Sequence, residues 1–68
     1  MQLHEYMARE GLSDGEFAAK IGKTRMAVFR YRTGRRMPSA DAMAAIARAT
    51  AGAVTPNDFV LPAEGEAA

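Results

Sequence analysis

Between Phe17 and Ala40 the chain places seven cationic side chains: Lys20, Lys23, Arg25, Arg30, Arg32, Arg35 and Arg36. No Asp or Glu interrupts them. The chemistry open to such a run is anion recognition, because a guanidinium is a planar fork that donates two hydrogen bonds to a phosphate or to O6 and N7 of a guanine. Over all 68 residues the formal charge is only +1, so the acidic side chains are confined to the two ends. Charge segregated in this way on a near-neutral chain suits a polyanion-facing surface; the plainer reading is a solvated basic face.

Other chemistries find little support. Cysteine is absent, which excludes thiol catalysis and cysteine-based zinc sites and fits a reducing cytoplasm. His4 is the only histidine, with no second imidazole or nucleophile to work with, and reads as a surface residue. Asp14, Glu16, Asp41 and Asp58 fall at predicted helix starts, where capping and the helix dipole account for a carboxylate. No acid–base pair is therefore needed, and the chain does not read as an enzyme. Met7, Met43 and Met37 read as core filler. The sequence implies no cofactor, metal or small-molecule ligand, and no apolar run approaches the ~20 residues that span a bilayer. The N-terminus lacks a signal-peptide pattern, so a cytoplasmic location is expected.

These residues must be positioned by short helices. Gln2 to Glu10 forms the first, with Leu3, Tyr6 and Met7 on one face and Gly11 as its stop. Leu12 plugs the following corner. Ser13-Asp14-Gly15-Glu16 is a capping box that starts a second helix over Asp14 to Ile21, with Phe17, Ala18 and Ile21 as its buried stripe. Gly22 stops it and Thr24 caps a third helix over Arg25 to Thr33, which Gly34 ends. In that third helix Val28 and Tyr31 share one face. Met26, Arg30 and Thr33 share the opposite one, with Arg25 and Phe29 on the flank. Two short helices joined by a tight glycine turn make a helix-turn-helix, whose second helix can enter the DNA major groove.

Ser39 caps a fourth helix over Ala40 to Thr50, with Met43, Ile46, Ala47 and Thr50 as its stripe and Gly52 as its end. Thr55-Pro56 starts a short fifth helix, with Val54 and Phe59 as a hydrophobic staple and Pro62 as its limit. Residues 63–68 are small and acidic and read as a frayed tail on a domain spanning 1–62. The fold class expected is all-α, a compact bundle of about five short helices.

In order and spacing, Phe17-Ala18, Ile21-Gly22, Val28 and Tyr31 resemble the lambda-repressor-like, Cro/CI-type (XRE) helix-turn-helix family. Gly34-Arg35-Arg36-Met37-Pro38-Ser39 is similar to that family's loop after the recognition helix. The run from Thr50 to Phe59 is similar to the entry into the fifth helix of Cro-like and YdaS-like members. The resemblance implies base contacts from the exposed first turns of the recognition helix, which here are Arg25, Met26, Phe29 and Arg30. It implies a phosphate contact at Thr24, where a hydroxyl meets free backbone N–H groups. Many members carry Glu where this chain has Arg32. Arg32 therefore pairs with Glu5 or Glu10, or reaches a phosphate.

Arg25 and Arg30 lie about 140° apart around the helix, so each either reads a base or clamps a phosphate. Met26 and Phe29 offer apolar contact to thymine methyls, although Phe29 could instead pack against the second helix. Arg35, Arg36, Lys20, Lys23 and Thr33 are expected at phosphates. The function implied is a sequence-specific, double-stranded-DNA-binding transcriptional regulator, a repressor or activator acting as a weak homodimer that forms mainly on DNA. Val54, Val60 and Leu61 are the candidate pairing surface, unless the last two merely cover the end of the first helix. The alternative is an antitoxin or protein-interaction module with secondary DNA binding, for which the short tail supplies little extra surface.

Overall fold

A computed structural model describes residues 1–59 of the chain. Four helices follow in order: α1 Leu3–Glu10, α2 Asp14–Ile21, α3 Arg25–Arg32 and α4 Ala40–Ala49. A single 3-10 turn, Pro56–Phe59, closes the described chain. The architecture is an all-α bundle, as expected, except that the fifth element is a 3-10 turn rather than an α-helix. Thr55 accounts for its compactness: its N–H and hydroxyl both donate to Asp58 Oδ2, at 2.9 and 3.2 Å, while Asp58 N–H donates back to Thr55 O at 2.9 Å. Val60, Leu61, Pro62 and the 63–68 tail lie outside the described residues.

Helices this short are marginal alone and depend on end caps and packing. The Ser13 box closes as the sequence predicts, with Glu16 N–H donating to Ser13 Oγ at 3.1 Å and Ser13 N–H to Glu16 Oε1 at 2.8 Å. Thr24 Oγ1 accepts from Ala27 N–H at 3.1 Å and Ser39 Oγ from Ala42 N–H at 3.2 Å. At the start of α1, Gln2 N–H donates to Glu5 Oε1 at 3.0 Å. Helix boundaries differ from expectation by one residue: Gln2, Thr33 and Thr50 are cap residues rather than members of α1, α3 and α4.

The core gathers one face of every helix. Leu3 and Met7 from α1 meet Phe17, Ala18 and Ile21 from α2, and Val28 and Tyr31 from α3. Ala42 and Ile46 from α4 complete it together with Val54. Phe17, Val28, Ile46 and Val54 are fully enclosed, and Tyr6 packs edge-on to Phe17 with ring centroids 6.3 Å apart. Three expectations are corrected here. Val54 has no surface to offer a partner and leaves the proposed pairing surface. Met37 is 53% exposed and is not core. Met43 and Ala47 are only half-buried, because α4 is rotated to turn Ala42, Ile46 and Thr50 inward.

Thr50 is the one buried polar residue among those described. Its hydroxyl donates to Ile46 O at 2.8 Å and accepts from Val54 N–H at 3.1 Å, tying the end of α4 to the strand of chain that follows. Beyond it, Ala51 rather than Gly52 takes the first left-handed position, with φ of 54°. Ala51 N–H bonds Arg48 O and Gly52 N–H bonds Ala47 O, the pattern of a Schellman stop.

Two stability changes follow. Thr50→Val keeps the shape but leaves the buried Val54 N–H without an acceptor. It should destabilise the fold by about 1–3 kcal/mol in urea titration. Ala51→Gly relieves the left-handed Cβ penalty and should raise stability by about 0.5–1 kcal/mol in the same titration.

Candidate nucleic-acid interface

α2 and α3 are the most extensively packed pair of helices. Their joint is three residues long. Gly22 adopts φ of 69°, a left-handed conformation that would strain any side chain although nothing lies within 4 Å of a Cβ built there. Lys23 N–H then bonds Ala18 O at 3.1 Å, and Thr24 caps α3. The turn thus reverses the chain with the Gly22 and Lys23 N–H groups both bonded to Ala18 O, and leads directly into α3.

Burial fixes which side of α3 faces outward. Val28 is 0% exposed and Tyr31 8%, whereas Met26 is 55% exposed. Arg25, Arg30 and Thr33 are exposed with Met26, and Phe29 is half-buried at the edge. Of the four expected base-contact residues, Arg25, Met26 and Arg30 are therefore exposed and Phe29 partly so. After α3, Gly34 is left-handed, with φ of 77°. Arg35 N–H and Arg36 N–H both bond Arg30 O, at 2.9 and 3.2 Å, so the two loop arginines start from a tightly wound backbone.

The seven cations are not equivalent. Arg32 donates from Nε to Asp14 Oδ1 at 2.6 Å and from Nη2 to Asp14 Oδ2 at 3.0 Å, a two-pronged bridge across 18 residues of sequence. This corrects the expected pairing with Glu5 or Glu10. The Arg32 hydrogen bonds hold the Asp14 carboxyl below its ordinary value of 3.8, with the Arg32 and Arg25 charges adding to the effect. Lys23 Nζ lies 3.2 Å from Asp41, whose side chain is 87% exposed. A pair so open to water contributes little and exchanges readily for another anion. Lys20, Arg25, Arg30, Arg35 and Arg36 are exposed and make no salt bridge among the described residues.

Two expected phosphate contacts are partly committed elsewhere. Thr33 donates its hydroxyl to Phe29 O at 2.7 Å, inside α3. The Thr24 hydroxyl accepts from Ala27 N–H, which leaves its own proton free to donate. The structure also reveals a stack that the sequence reading missed: the Arg32 and Arg35 guanidinium carbons lie 5.1 and 5.8 Å from the centre of the Phe29 ring. Spacing i, i+3 from Phe29 to Arg32 was the available signal. Among the described residues there is no group of acidic, histidine or cysteine side chains placed to hold a metal, and no helix long and apolar enough to cross a membrane.

A family model described as helix-turn-helix matches residues 3–53. The match spans all four helices, so the chain belongs to that family, a non-catalytic DNA-binding module associated with Cro/CI-type regulators. No curated protein and no solved structure matches the chain.

The Asp14–Arg32 bridge generates a pH-dependent expectation. Because the Asp14 carboxyl titrates below its unfolded value, the bridge stabilises the fold fully above that value and is lost as pH falls through the folded one. Both side chains keep some solvent access, so a double-mutant cycle of Asp14→Asn with Arg32→Gln should give a coupling of only about 0.5–1 kcal/mol at pH 7. Thermal unfolding repeated at about pH 3 should show that coupling shrinking.

Proposed function

From membership of the helix-turn-helix family, we propose that this chain is a sequence-specific regulator of transcription, of Cro/CI type, that reads double-stranded DNA through α3. The observation that carries the reading is the outward side of α3. Arg25, Met26 and Arg30 stand exposed there, with neither arginine drawn into an ion pair among the described residues, while Val28 and Tyr31 anchor the opposite side. A helix presented in this way can enter the major groove with its first turns against base edges. Arg25 and Arg30 supply the forks suited to guanine, and Arg35, Arg36, Lys20 and Lys23 surround them at positions suited to phosphates.

One recognition helix reads only a few base pairs. A second copy placed about 34–36 Å away, one turn of the duplex, doubles the site and matches a two-fold operator. The pairing is weak in free solution and is completed on DNA. Binding of this kind needs no catalytic group and no bound effector: occupancy of the operator is itself the regulatory event.

Selection of bound sequences from a random duplex pool tests the reading. A palindromic or two-fold related consensus is expected; recovery of unenriched DNA, or of no DNA, would overturn it. On the selected site, Arg30→Ala should weaken binding by about 1–3 kcal/mol and relax preference at one base pair per half-site. Arg36→Ala should weaken selected and random DNA alike and reduce the salt slope by about one. Equal losses on both DNAs for Arg30→Ala would move Arg30 to the phosphate class.

A further inference from the structure

Phe29 is half-buried, yet among the described residues it neither belongs to the core nor packs against it. Two guanidiniums lie over its ring instead, Arg32 at 5.1 Å and Arg35 at 5.8 Å from the ring centre. The two differ in charge balance. Asp14 grips Arg32 by two hydrogen bonds, at 2.6 and 3.0 Å, and offsets its charge. Arg35 makes no salt bridge among the described residues. Its main chain is fixed as well: left-handed Gly34 precedes it, with φ of 77°, and its N–H donates to Arg30 O at 2.9 Å. Arg35 is thus held at both ends, by a carbonyl at its backbone and by a ring at its guanidinium.

We propose that Phe29 is a positioning residue, whose ring holds the Arg35 guanidinium ready for a backbone phosphate of duplex DNA. The proposal rests on the DNA reading above and gives Phe29 a role other than the base contact that the resemblance implies. The chemistry of arginine permits both contacts at once. A stacked guanidinium gives its face to the ring, while its five N–H groups point outward in its own plane, where a phosphate can take two of them. Ordering a long side chain at the moment of binding is costly, and one already held by a ring has less freedom left to lose. Charge points the same way. Two unbalanced guanidiniums at one ring would repel each other, and the Asp14 bridge relieves that repulsion by neutralising Arg32. The cluster then carries one net positive charge, that of Arg35. Asp14 and Arg32 act through the ring, and the ring acts through Arg35.

The test uses the full chain, the site selected from the random pool and an unselected duplex. Phe29→Leu removes the ring and keeps apolar bulk, with its melting temperature as the check on the fold. It should weaken both duplexes alike, about two- to fivefold, the worth of an exposed cation–π contact. In an Arg35→Ala background the same change should cost nothing further. In an Arg36→Ala background it should cost its full factor, because no stack ties Arg36 to the ring among the described residues. Phe29→Tyr, which keeps a ring, should bind like the parent. Losses that add in the Arg35→Ala background, or that vanish equally in the Arg36→Ala one, overturn the positioning role and leave the DNA reading standing. So does no loss at all, or a loss confined to the selected duplex with preference relaxed at one base pair. Failure of the parent to bind any duplex overturns both. If Phe29→Leu does not fold, NMR of the parent decides: the Arg35 δ-methylene protons should be shifted upfield by the ring, in free and DNA-bound protein alike. Ordinary positions in either state overturn the proposal.

Discussion

The enclosure of Val28 and Tyr31 is the constraint from which the rest of this surface follows. α3 has eight residues, about two turns, so two side chains sealed three positions apart leave it no freedom to rotate about its axis. Once both are inside, Met26, Arg30 and Thr33 must face outward whatever their own preferences. A helix of this length has little stability alone, and it persists because α2 covers one side and caps close its ends. Core and cationic surface are thus two sides of one short helix.

A surface that gathers so many cations works against its own folding, because like charges repel across it. Two carboxylates relieve the strain in different ways. Asp14 withdraws Arg32 into a two-pronged bridge at the joint of α2 and α3, where it supports the packing and steadies Phe29. Asp41 meets Lys23 in open water, a contact that yields to a stronger anion without disturbing the fold. The remaining five cations make no salt bridge among the described residues. Cations held in ion pairs and cations left without one are therefore distinguishable among the described residues, residue by residue.

Among the described residues the polar interior is confined to one place with a clear physical task. Thr50 satisfies the backbone where α4 gives way to the segment carrying Val54, and that lets Val54 be fully enclosed. Beyond it, the Thr55–Asp58 cluster winds a single tight turn and brings Phe59 partly over the core. The C-terminal side of α4 is thus shaped more by hydrogen bonds than by apolar volume. A hydrophobic pattern by itself would describe it poorly, and Thr50 looked from its spacing like one more member of a stripe.

What could be read from the residues alone was whatever acts over three or four positions. Ser13 with Glu16, Thr24 and Ser39 each cap a helix by a bond to a backbone N–H three residues on, so residue type and spacing sufficed. The faces of α2 and α3 followed from helical period, and with them the exposure of Arg25, Met26 and Arg30. Only the tertiary structure decided the partners of Arg32 and Lys23. Each carboxylate lies 18 residues away, and the angle between helices, not a local pattern, brings them together. The same holds for the exposure of Met37, the enclosure of Val54 and the rotation of α4. Local bonds are written into neighbouring residues, whereas the choice among distant partners is made by packing.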